Sequence, residues 1–91
     1  MAIVFDLPTE WTKDGWKLKI RDKERVEPPH VTLIHGTRCW RFGLRHRAFL
    51  DRLPPARDVP KPLVALIHDR CDEFSVAWNS LYPENPVNTD E

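Results

Sequence analysis

The chain of 91 residues lacks any long apolar run, and its first residues have neither the basic start nor the length of a signal peptide. A membrane-spanning helix needs about 20 consecutive apolar residues. We therefore expect no membrane association and predict a cytoplasmic protein. Repeats and low-complexity tracts are also missing, which excludes solenoid and linker-like classes.

A complete catalytic motif is missing as well. Cys39 and Cys71 have no metal-ligand spacing, so we expect both to be small buried apolar residues in a reducing compartment. Ser75 and Ser80 have no companion base at a recognisable spacing, and a serine hydrolase is not supported. We predict no metal and no cofactor.

The length predicts one domain with one modest core built around nine aromatic residues. Prolines punctuate the chain between segments of regular pattern rather than interrupting them. We assign residues 1–83 to a single α+β domain and residues 84–91 to an acidic flexible tail.

The net charge of zero conceals an uneven distribution along the chain. Residues 13–52 carry eleven Lys and Arg against five Asp and Glu, a balance of +6, whereas residues 58–91 have a balance of −5. A basic half beside an acidic half fits a nucleic-acid-binding face opposite a partner surface, and a solvated mixed surface is the plain alternative.

Residues 16–23 alternate apolar and charged side chains with period two, which is typical of a half-buried antiparallel strand. Trp16, Leu18 and Ile20 would face the core. The opposite face would then carry a cationic row, made of Lys17, Lys19, Arg21 and Lys23.

A hairpin is predicted after Pro28 and Pro29, which disfavour helix and require an extended backbone. Residues 30–35 form its first strand, and Gly36 with Thr37 supplies the turn. The alternation on the returning strand places Trp40, Phe42 and Leu44 inside and a second cationic row outside, made of Arg41, Arg45 and Arg47.

One helix is predicted over residues 63–82, because apolar residues recur there at i, i+3, i+4 and i+7. Residues 2–5 would form a short edge strand, and residues 48–62 a proline-punctuated connection. The fold class is thus α+β, a three- to four-stranded antiparallel meander with one C-terminal helix packed on one face. We expect the helix to place Leu66, Ile67, Phe74 and Trp78 against Trp16, Leu18, Trp40 and Phe42.

Three histidines lie in or next to the basic hairpin: His30, His35 and His46. Imidazole titrates near neutral pH and can serve as a general acid or base in ribonuclease chemistry. We take these three as candidate catalytic residues and expect His30 to begin its strand outside the core. The alternative is that they are ordinary solvated or hydrogen-bonded strand residues.

The segment Pro28-Pro29-His30-Val31-Thr32, the hairpin after it and the terminal helix together resemble a small bacterial domain with a Pro-Pro-His-x-His signature. Thr32 stands where that signature has its second histidine, so His30 is the one position carried over. Such domains are often encoded beside a second small protein in toxin–antitoxin-like pairs. The resemblance implies a toxin-like protein with a cognate antitoxin-like partner.

The leading hypothesis is a toxin-like protein of a bacterial two-gene module that binds RNA through the basic sheet face. Cleavage of RNA, with His30 or His46 as the base, extends this hypothesis, and DNA is the other polyanion considered. The alternative is a non-enzymatic nucleic-acid-binding or protein-interaction adaptor. The nucleic-acid-binding candidates are Lys17, Lys19, Arg21, Arg41, Arg45 and Arg47.

Overall fold

The computed structural model describes residues 2–21 and 27–87 and confirms the α+β class. Five strands, three α-helices and one 3-10 turn follow one another in these two segments. They are β1 (Ile3–Phe5), α1 (Thr9–Lys13), β2 (Trp16–Ile20), β3 (His30–His35), β4 (Arg38–Gly43), β5 (Ala48–Phe49), the 3-10 turn (Ala56–Asp58), α2 (Lys61–Asp69) and α3 (Cys71–Leu81).

The strands form one antiparallel meander in the order β1-β2-β3-β4-β5. A two-residue turn joins β3 to β4, with His35 opposite Arg38, and Gly36 in this turn has a φ of 64°, which glycine adopts without strain. The sheet has five strands rather than the predicted three to four. The additional strand, β5, is two residues long, which is too short to show any periodicity.

The predicted C-terminal helix is two helices, α2 and α3, separated at Arg70. Arg70 has φ −103° and ψ 10°, outside the helical region, although its N–H still bonds the carbonyl of Leu66. Periodicity could not reveal this break, because the apolar spacing continues across it without a shift of phase. No helix in the described segments is long and apolar enough to cross a membrane.

The core lies between the two C-terminal helices and one face of the sheet. Leu63 and Ile67 of α2 and Phe74 and Trp78 of α3 are fully buried, and Leu66 is only half-buried. The predicted inward residues of the strands are buried with them, which confirms the two alternating apolar faces: Trp16, Leu18, Ile20, Trp40, Phe42 and Leu44.

Residues 84–87 do not form a flexible tail, so this part of the predicted domain boundary is wrong. The chain turns back after α3, and Val87 is 6% exposed and joins the core cluster. The backbone N–H of Val87 donates to Asn79 Oδ1 at 2.8 Å, and Trp78 Nε1 donates to the carbonyl of Asn85 at 2.7 Å. We call residues 84–87 the C-terminal strap; residues 88–91 and Lys23 lie outside the described part.

Candidate functional site

The three candidate histidines do not converge on one point. His30 and His35 occupy the two ends of β3, opposite Gly43 and Arg38 of β4. Strand geometry, at about 3.3 Å per residue, separates their backbones by about 16 Å. His46 is exposed in the turn after β4, at the end of the hairpin where His30 lies. His30 and His35 are therefore too far apart to act together as the acid and the base of one catalytic site.

His30 is fully buried, so the expectation that it begins its strand outside the core is wrong. Its ring lies 5.5 Å from the ring of Trp78, and its Nδ1 is 2.8 Å from the carbonyl oxygen of Pro28. A carbonyl can only accept, so Nδ1 carries the proton and donates to it. Its Nε2 lies 3.8 Å from Glu27 Oε1. Besides Pro28 and Glu27, the ring of His30 contacts Trp78 of α3, a contact that the local strand pattern could not show.

His35 packs on a core aromatic residue at the opposite end of the hairpin. Its ring stacks on Trp16 with centroids 4.1 Å apart and an interplanar angle of 16°. Its Nε2 donates to the backbone carbonyl of Asp14 at 2.9 Å, and Trp16 Nε1 donates to Asp14 Oδ2 at 3.1 Å. These contacts hold the β1–β2 connection against the hairpin, which is a structural role for His35.

Arg41 is held by two carboxylates on the outer face of the sheet. Its Nε and Nη2 donate to Asp51 at 2.9 and 2.7 Å, and its Nη1 donates to Glu27 at 2.9 Å. The hydrogen bond from Arg41 lowers the pKa of the Asp51 carboxyl, and the same pairing raises the pKa of the guanidinium. Arg41 is therefore already neutralised by the protein, which argues against a phosphate-binding role.

Arg45 and Arg47 also have acceptors within the chain. Arg45 donates to the C-terminal strap: its Nε to the carbonyl of Val87 at 3.1 Å and its Nη2 to Pro86 and Asn85 at 2.9 and 3.0 Å. Arg47 donates to Asp72 at 3.3 Å in an exposed ion pair. Of the predicted second row, Arg41 lies in β4, whereas Arg45 and Arg47 lie in the turn after it. All three bond to acceptors within the protein, so this row mainly stabilises the fold.

The row on β2 remains accessible. Lys17 is exposed and Lys19 half-buried on the face that the C-terminal helices do not cover. Neither lysine forms an ion pair with any residue of the described segments. Arg21 continues the row at an exposed position and donates to Cys39 Sγ at 3.3 Å. Of the two predicted cationic rows, the second has acceptors within the protein and the first stays accessible to a ligand. We call this first row, made of Lys17, Lys19 and Arg21, the β2 cationic row.

The register fixes what surrounds this row. Lys19 pairs with Val4 of β1 on one side and Thr32 of β3 on the other, and Thr32 pairs with Arg41. Thr32 is 2% exposed, and its hydroxyl has no hydrogen-bond partner within residues 2–21 and 27–87. Lys19 and Arg41 are thus the neighbours of Thr32 on the two adjacent strands, and the buried hydroxyl of Thr32 lies between them in the middle of the sheet.

The two thiols differ in setting. Cys71 is buried as expected, and burial raises the pKa of its thiol. Cys39 is half-exposed beside Arg21, so the expectation that it is buried is wrong. No cluster of three His, Cys, Asp or Glu side chains suited to a metal occurs in the part of the chain that the structure describes.

Sequence reasoning missed Glu27, Asp51 and the C-terminal strap as partners of the predicted site residues. Glu27 directly precedes Pro28, and Asp51 follows β5, so each lies beside a turn with no periodic signal of its own. The one signal in the sequence was the excess of basic residues in this half of the chain, which favours ion pairs for the few carboxylates that lie among them.

Comparisons of the chain with protein-family models, with curated proteins and with solved structures found no match. The resemblance to the Pro-Pro-His-x-His domain therefore rests on the segment from Pro28 to Thr32, the hairpin and the terminal helix, and it stays a prediction.

Proposed function

We propose that this protein is a small toxin-like domain that binds RNA phosphates through the β2 cationic row. The observation that carries the proposal is the pair Lys17 and Lys19, adjacent on an uncovered sheet face and free of ion pairs within the described segments. Like charges two residues apart on one strand repel, and an anionic partner relieves this repulsion.

The composition of the uncovered face favours phosphate contacts over base recognition. Beside the row stand Val4, Ile34 and Cys39, and the register places no Phe, Tyr or Trp among the described strand residues of this face. The imidazole ring of His30 lies on it but is fully buried. Base stacking needs aromatic platforms, whereas phosphate contacts need only cations. Binding should therefore be insensitive to sequence and strongly dependent on salt.

Binding is better supported than cleavage. The buried ring of His30 bonds the backbone of Pro28, and His35 stacks on Trp16, which leaves His46 as the exposed member of the predicted catalytic set. One exposed imidazole can transfer a proton, but the acid and base of phosphodiester cleavage need two placed groups. We therefore propose a binding protein rather than a nuclease. Its toxicity would come from binding RNA and so blocking the use of that RNA, and a cognate partner protein would neutralise it.

The direct test is fluorescence anisotropy of a labelled single-stranded RNA titrated with the protein over a range of salt concentrations. Each phosphate contact contributes about −0.7 to the log–log slope of the binding constant against salt. The variant carrying Lys17→Gln and Lys19→Gln should bind more weakly and show a slope shallower by about 1.4.

The matched control carries Arg57→Gln and Lys61→Gln, which removes the same charge from the helix side of the molecule. Equal loss of affinity in both variants would mean that only net charge matters and would refute the assigned face. Induced expression followed by a growth curve tests the toxin-like role. Growth arrest should occur with the wild type and the control variant and be lost with the β2 variant.

A further inference from the structure

A second surface lies on the opposite side of the sheet from the β2 cationic row, beside the helices. It is a groove of about 490 Å³ between the edge strand β5, the 3-10 turn and α2, and it is open to solvent. This volume falls within the range of about 300–1,000 Å³ that is typical of ligand sites. Its walls are almost wholly apolar and are formed by Phe49, Val59, Val64 and Ala65.

The rim of this groove is cationic. Arg57, in the 3-10 turn, and Lys61, at the start of α2, line it, and neither is engaged in an ion pair within the described part of the chain. The neighbouring acid, Asp58, is held by Arg38 at 3.0 Å, so its charge is already compensated. The groove therefore combines an apolar floor with two uncompensated positive charges.

We propose that this groove binds an acidic segment of a partner protein, with apolar side chains in the groove and carboxylates against Arg57 and Lys61. Apolar contacts supply affinity, and complementary charge at the rim selects the partner and speeds association. The groove is open to solvent, which favours a peptide over a small molecule as its ligand. A small molecule buries most of its surface in its site and therefore needs an enclosed one. None of the residues involved belongs to the β2 cationic row.

The test is selection of a random-peptide display library on the intact protein, followed by affinity measurement with the enriched peptides made synthetically. Enriched peptides should combine Asp or Glu with large apolar residues. Replacing their carboxylates by amides should weaken binding by about three- to tenfold, as should Arg57→Gln with Lys61→Gln in the protein.

Ala65→Glu probes the groove itself, since it places a carboxylate on the exposed apolar wall. It should weaken binding of the acidic peptides by about tenfold or more through like-charge repulsion. Ser80→Glu is the matched control, because it adds the same negative charge at an exposed position of α3 outside the groove. It should leave binding unchanged, and equal urea midpoints for the two variants verify that both are folded.

The proposal would be overturned by no enrichment, by enrichment of neutral or basic peptides, or by enriched peptides that bind Ala65→Glu as well as Ser80→Glu. Binding of laurate, a small anionic amphiphile, without binding of any peptide would assign the groove to a different ligand and also overturn it. The outcome is separate from RNA binding, because Lys17→Gln with Lys19→Gln should leave peptide affinity unchanged.

Discussion

Removal of the C-terminal strap should destabilise the whole domain, although the acidic composition of residues 84–91 indicates a dispensable tail. A chain ending at Glu84 loses the burial of Val87, worth about 1.5–3 kcal/mol. It also loses the acceptor of Trp78 Nε1 and the three acceptors of Arg45, each hydrogen bond contributing about 0.5–1.5 kcal/mol.

The opposing term is the backbone entropy of the three strap residues that would no longer be ordered, at about 1–2 kcal/mol each. The sum of these contributions is a decrease of about 2 kcal/mol in the free energy of unfolding. For a domain of this size 1 kcal/mol corresponds to about 4–8 °C in Tm, so Tm should fall by about 10 °C.

The assay is urea and thermal unfolding followed by tryptophan fluorescence, which also reports directly on the surroundings of Trp78. A chain ending at Val87 is the matched control, because it keeps the contacts of Val87, Asn85 and Pro86 with the rest of the fold. Equal urea midpoints for the chains ending at Glu84 and at Val87 would refute the reasoning, since the strap would then contribute nothing to stability.

Three further expectations concern the core and the outer face of the sheet. Phe74→Ala should cost about 3–5 kcal/mol in urea unfolding, whereas Val76→Ala at a 70% exposed position of α3 should change stability by less than about 0.5 kcal/mol; similar values for both would contradict the packing. Thr32→Val should be neutral or stabilise the domain by up to about 1 kcal/mol because it removes an unsatisfied hydroxyl, and a clear loss of stability would show that the hydroxyl has a partner. Arg41 lowers the pKa of Asp51 below 3.8 in the folded state, so the unfolded state binds the proton more readily and the stabilisation is lost as pH falls through the folded pKa. The stability advantage of wild type over Asp51→Asn should accordingly shrink below about pH 4, and an advantage that is constant with pH would contradict the ion pair.

Binding by the β2 cationic row and docking in the apolar groove would give this small domain two independent faces. The first lies on the uncovered side of the sheet, around Lys17 and Lys19, and the second beside α2, around Arg57 and Lys61. The paired variants of these two faces serve as controls for each other, so each assay tests one surface while the other stays intact.

Elements with a local pattern could be identified from the sequence. Alternation identified β2 and the hairpin of β3 and β4, because side chains on a strand point to opposite faces in turn and only one face could be buried. Helical periodicity likewise identified the buried stripe that includes Ile67, Phe74 and Trp78.

The partners of the charged groups, in contrast, could not be predicted from local pattern. Arg41 meets Glu27 and Asp51 because the turns on either side of the hairpin return to the same point on the sheet. Arg45 meets a strap some forty residues further along the chain, as its contact with Asn85 shows. Such pairings depend on distances that local periodicity does not contain, since loops and helix ends set them. The same holds for the contact between the buried ring of His30 and Trp78 of α3, which lies far from it in the sequence.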